Sequence, residues 1–163
     1  MVYVGCILII IMSAYIGKYI SNKYVYKDKF YQFLVGLCVY LKSNIGFNHT
    51  KIEQLFDDYI KSYKTEFNNE VNLFKKICLQ YDLEVKEISY VLKNINKEER
   101  EVIISRIKQI GNNEEKFEME KLDQFMEYCK YKQKEYENQR KNMQPLCYKL
   151  SLAIGSVICI LII

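Results

Sequence analysis

Few residues of the kinds that carry chemistry fall at spacings that would let them perform any. Six cysteines stand at positions 6, 38, 78, 129, 147 and 159, with no C-x-x-C pair among them. Scattered this widely, they suggest neither a zinc site nor a compact disulfide framework; the middle four read as reduced thiols serving as small apolar side chains. His49, the single histidine, sits in a polar stretch with no cysteine or aspartate at metal or triad spacing, so a surface position is expected rather than catalysis. The one Gly-Lys pair, Gly17-Lys18, lacks the upstream glycine of a phosphate loop, which argues against nucleotide hydrolysis. The acidic run from Asn113 to Glu120 has the composition of an ordinary helix start. No catalytic, cofactor-binding or metal-ligating residue is expected, no small-molecule substrate, and no enzymatic activity.

What remains to be explained is how the apolar residues are distributed. The near-neutral mean hydropathy averages two apolar ends with a charged centre. Val2 to Ile20 would extend about 28 Å as a helix, enough for a hydrocarbon core of about 30 Å if Lys18 snorkels to the interface. Leu146 to Ile163 is its counterpart. A signal peptide carries its positive charges before the apolar run, whereas Lys18, Lys23, Lys27 and Lys29 come late in or after this one. Arg140, Lys141 and Lys149 precede or enter the final run. Both inner flanks are therefore basic and both outer flanks uncharged, so the positive-inside rule predicts a cytoplasmic middle with both termini across the membrane. The expected organisation is a transmembrane helix at 1–20, a cytoplasmic helical domain at 21–145 and a second transmembrane helix at 146–163. The net charge of +4 is gathered at these flanks, not spread as a stripe, so nucleic acid is not an expected partner.

With one proline, Pro145, and six glycines, the middle has little of the punctuation that sheets require. An all-α class with about six helices follows. Phe30, Phe33, Leu34, Leu37, Cys38, Leu41 and Ile45 recur at helical spacing, in a helix expected to continue from the first span. Thr50 and Glu53 have capping-box spacing before a second stripe, Ile52, Leu55, Phe56, Tyr59, Ile60 and Tyr63. Phe67, Val71, Phe74, Cys78 and Tyr81 make a third stripe, and Val85, Ile88, Leu92 and Ile95 a fourth, with a polar break around Asp82. Asn96 is a candidate N-cap for a fifth helix through Val102, Ile103, Ile107 and Ile110, closed at Gly111-Asn112-Asn113. The last helix, Asn113 to Gln144, carries Phe117, Leu122, Phe125, Met126, Cys129 and Tyr136. Its apolar positions thin out after Cys129, which predicts a free-standing stalk, and Pro145 predicts a kink at membrane entry. The abundance of Lys, Asn, Ile and Tyr reads as the codon bias of an AT-rich genome, so the tyrosines receive little weight.

Small residues give the apolar ends their only finer pattern. Cys6, Ser13 and Gly17 fall in a stripe about 40° wide at 100° per residue, and Ser151, Gly155 and Cys159 follow each other every four residues. Small-x-x-x-small spacing lets helix backbones approach closely in lipid, so the two spans are expected to pack along these stripes, with partner subunits as the alternative occupant.

Several segments resemble the stage III sporulation protein AB family of endospore-forming bacteria. The opening G-C-I-L-I-I-I-M-S-A-Y-I-G is similar to that family's first span, and Tyr26-Lys27-Asp28-Lys29-Phe30-Tyr31-Gln32-Phe33 to its Y-x-x-R-x-x-Q-L entry. Leu41 to Phe47 resembles its L-x-x-E-I-x-Y segment, Ile110-Gly111-Asn112-Asn113 its L-G-x-x-D turn, and Arg140-Lys141-Asn142 with the last span its K-K-N-x-x-x-Y-x-x-L-G ending. Departures are Lys29 for arginine, Asn44 for glutamate, Asn113 for aspartate and Ser151-Leu152 for Leu-Gly; they bear on roles resting on those side chains. The resemblance implies a component of the channel-like apparatus joining mother cell and forespore. It would work beside a separate secretion-type ATPase and other channel subunits, its head similar to the membrane platform protein of type II secretion and type IV pilus systems. A membrane-anchored signalling or regulatory adaptor, unrelated to a channel, is the rival reading.

Overall fold

A computed structural model describes residues 2–48, 52–63, 65–79, 84–110 and 115–162. They form six helices and, among the described residues, no strand: α1 (Val2–Asn48), α2 (Ile52–Ser62), α3 (Asn68–Cys78), α4 (Val85–Val91), α5 (Lys97–Ile107) and α6 (Glu115–Ile162). The first and last are 47 and 48 residues long. Each carries an apolar terminal segment and one of the expected middle helices without a break in helical assignment; no Pro or Gly pair separates the two parts of α1. Pro145 lies inside α6, which continues helical through it. The Thr50 cap, Tyr81, the polar break at Asp82, the Gly111-Asn112-Asn113 turn and His49 fall outside the described residues.

The chain divides into two compact units, a terminal one of Met1–Lys29 with Gln133–Ile163 and a central one of Phe30–Lys132. The division assigns residues 21–29 and 133–145 to the same unit as the apolar ends.

The core of the central unit follows the helical stripes. Phe30, Leu34, Leu37, Cys38 and Leu41 of α1 are buried, as are Leu55, Phe56 and Tyr59 of α2 and Ile103 and Ile107 of α5. α3 buries Val71, Leu73, Phe74, Ile77 and Cys78; each large apolar side chain removed from water stabilises by about 1.5–3 kcal/mol. Its entry is fixed by the Phe67 amide, which donates to Thr65 Oγ1 at 3.1 Å. The Phe67 ring then stacks on Phe33 at 4.9 Å and meets Phe30 edge-on at 5.7 Å. α4 buries none of its residues; the chain beyond it turns so that Leu92 and Ile95 are buried instead.

Four residues of the expected stripes lie outside it; Tyr63 and Val85 are 52 % and 79 % exposed. Val102 is 37 % exposed and Phe117 51 % exposed. On α5 the buried face runs through Glu99, Ile103 and Ile107, leaving Val102 rotated by about 100°. On α6 the buried face runs through Glu118, Leu122, Phe125 and Cys129, so Phe117 turns outward, with the Lys121 ammonium 4.5 Å from its ring. Conversely, Tyr31, absent from the expected stripe, is fully buried against the Tyr128 ring at 6.5 Å.

Ion pairs rim this core. Lys75 is held by Asp57 at 2.9 Å and Glu53 at 3.2 Å; the hydrogen bond it donates to Asp57 raises its pKa above the usual lysine value. Lys42 joins Asp123 at 2.6 Å, and Lys132 joins the buried Glu99 at 3.5 Å. The neighbouring Cys38 thiol, together with burial, raises the Cys129 pKa. Burial, with the nearby Glu118 charge, pushes the Cys78 thiol up to about 12, and that thiol donates to the Ile107 carbonyl at 3.3 Å. All six cysteines are free.

Candidate functional site

The terminal unit contains every residue singled out from the apolar ends and their basic flanks. Its two apolar segments lie antiparallel, and the small residues are where they meet. The Ser13 hydroxyl donates to the Ser151 carbonyl. Gly17 is buried; a Cβ there would collide with Ser151 Oγ and stand 3.1 Å from the Cys147 carbonyl. At Gly155 a Cβ would come within 2.9 Å of Ser13 Cβ. Cys159 donates its thiol to the Cys6 carbonyl at 3.4 Å. Both glycines are needed for close approach of two backbones, the property for which such residues serve in lipid.

Large apolar side chains point the other way. Ile7, Leu8, Ile11, Met12, Ile154 and Ile160 are all more than half exposed. A soluble fold would bury such residues against one another. Among the described residues, two helices are long and apolar enough to cross a membrane, with only 17 % of each apolar stretch buried. That combination suggests membrane association.

Beside the apolar segments, the unit carries a charged and aromatic collar. Asp28 is 5 % exposed, and its carboxylate accepts from Arg140 at 3.1 Å. Lys27 donates to the Tyr136 hydroxyl at 3.2 Å and lies 4.7 Å from that ring's centre. Residues 133–145 therefore do not stand alone as a stalk. Polar contacts hold them to α1, where the apolar pattern on which the expectation rested had run out. Lys141 pairs with Glu137 at 2.6 Å on the same helix, holding the Glu137 carboxyl below the usual range. Lys18, Lys23, Lys29 and Lys149 are exposed, with Lys23 Nζ 6.0 Å from the Tyr19 ring centre.

Sequence reasoning treated this flank as a set of cations and missed its anion. Asp28 is the only carboxylate before Glu53. A lone acid among Lys18, Lys23, Lys27 and Lys29 was the available signal, since a buried charge must find a partner.

Fold and site together define an all-α protein with two membrane-length apolar helices, closed on each other through small residues beside an ion pair whose carboxylate is buried. The family model of Stage III sporulation protein AB matches residues 3–163, essentially the whole chain, and the chain belongs to that family. It is thus a stage III sporulation protein. No curated protein and no solved structure matches the chain.

Proposed function

We propose that the protein is a membrane assembly platform of the mother cell–forespore channel apparatus needed for endospore formation. Both apolar segments span the membrane, the central unit occupies the mother-cell cytoplasm, and the termini lie opposite. The observation that carries this reading is the antiparallel pairing of the two apolar segments through Ser13 and Ser151, with basic residues at the inner flank of each. Antiparallel partners with like-charged inner flanks enter the bilayer from the same face, and the positive-inside rule makes that face cytoplasmic.

The central unit docks a separate secretion-type ATPase, and the spans contact other channel subunits. The protein itself does no chemistry. Support comes from family membership and from the cysteines of the central unit, which are buried as packing groups and not displayed as nucleophiles. The likeness of the head to secretion and pilus platform proteins belongs to the same proposal.

Affinity purification of the full chain from sporulating membranes tests it. Recovery with an ATPase and further membrane subunits is the expected result. Recovery with a single soluble partner, in vegetative cells as well, would replace the platform by an adaptor.

A further inference from the structure

The face of the terminal unit beside the glycine contact is not flat. Leu8, Met12 and Ile16 of α1 and Ile154, Gly155 and Ile158 of α6 wall an open, apolar groove of about 340 Å³. That volume lies within the range of about 300–1,000 Å³ typical of small-molecule sites. It exists because Ser13 and Gly155 draw the backbones together while the bulky residues beside them remain exposed. On α1, Met12 and Ile16 are followed on the same helical face by Tyr19 and Lys23, at steps of four, three and four residues. Tyr19 is 65 % exposed, and Lys23 is exposed beside it.

We propose that this groove binds one anionic glycerophospholipid, an acyl chain lying along Met12 and Ile16 and the phosphate held by Lys23 beside Tyr19. The inference rests on the membrane-spanning reading above. Walls without charge select hydrocarbon, and a cation at only one end selects an amphiphile with an anionic head. The dimensions agree: Lys23 lies about 10 Å beyond Ile16 along the helix, and the headgroup layer adds about 5–8 Å to each face of the hydrocarbon. Tyrosine is the ordinary occupant of the boundary between the two. Lys27, next along this face, is already engaged by Tyr136, so Lys23 is the cation that meets the phosphate.

The chain contains no tryptophan, so a single one can report on the groove. Full-length Ile16→Trp protein is reconstituted in phosphatidylcholine bilayers containing acyl-brominated phosphatidylglycerol or acyl-brominated phosphatidylcholine, and quenching is compared. The anionic lipid should be favoured about fivefold at this position, the ratio corresponding to the roughly 1 kcal/mol of one lysine at an anionic surface. Adding Lys23→Gln should bring the ratio to about one. Ile160→Trp, on an exposed α6 position distant in sequence from the basic flank, should be quenched equally by both lipids. Equal quenching of Ile16→Trp by the two lipids overturns the lipid assignment. Quenching at Ile160→Trp with none at Ile16→Trp also overturns it, because protein then fills the groove. Absence of quenching at both positions overturns the spanning reading itself.

Discussion

The central and terminal units bring the same two helices together by opposite means. In the central unit α1 and α6 are joined by large side chains turned inward, Tyr31 against Tyr128, with Leu34, Leu41, Leu122 and Phe125 buried. In the terminal unit the large side chains turn outward and the helices meet through Ser13, Gly17, Ser151 and Gly155. Water rewards the first arrangement, because burying apolar area is the gain. Lipid does not, because hydrocarbon outside is as good as hydrocarbon inside, leaving backbone proximity and hydrogen bonds to hold the pair. On the membrane-spanning reading proposed above, a single pair of helices meets two solvents.

The sharpest way to break this comparison is to remove a large residue from one unit and add one to the other. Phe74→Ala should destabilise the central unit by about 3–5 kcal/mol in chemical denaturation, while oxidative crosslinking between Cys6 and Cys159 in membranes stays at the parent yield. Gly155→Leu should do the reverse, costing the terminal unit about 1–3 kcal/mol through overpacking against Ser13. It would be read as loss of that intrachain crosslink with the denaturation midpoint of the central unit unchanged. Asp28→Asn removes the partner of Arg140 and should cost about 1–2 kcal/mol; Arg140 is partly exposed and water compensates it in part. Restored crosslinking on adding Arg140→Gln would show that the cost lay in the stranded cation.

A pH titration of the central unit sharpens the contrast further. Cys78 has its folded pKa raised from 9.0 to about 12. Its stabilising contribution is therefore complete below pH 9 and is lost as pH rises toward about 12, at no more than about 1.4 kcal/mol per pH unit. Replacing Cys78 by Val should flatten that alkaline limb in denaturant melts. The smallest effect belongs to Lys141→Gln, which breaks an exposed pair with Glu137 and should leave the denaturation midpoint unchanged.

The sequence makes these two regimes legible to different degrees. Helical stripes located α2, α3 and α5 closely, since burial at every third or fourth position is what a helix in water needs. Small residues line the contact between the apolar segments, because only residues without bulk permit that approach. Periodicity did not resolve Phe117 from Glu118 or Val102 from Ile103, where one residue decides which of two neighbours faces the core. Tyr31 is hidden by composition: abundant tyrosine reads as genome bias, yet this ring is buried. The pairing of Asp28 with Arg140 joins residues on different helices, and no local pattern encodes it. Nor does local pattern distinguish a lone polar helix from the two-helix arrangement that α1 and α6 form beside the apolar segments.

Eleven residues separate Gly17 from Asp28 on α1, and eleven separate Arg140 from Ser151 on α6. Eleven residues make three turns, about 16 Å, so the glycine contact and the ion pair are held at matched intervals on both helices. Loss of one residue between them on α1 alone would rotate one contact by about 100° relative to the other, and the helix could satisfy only one of them. The intervening length is thus shared property of two distant stretches of the chain, and an evolutionary deletion in one can be repaired by a matching deletion in the other.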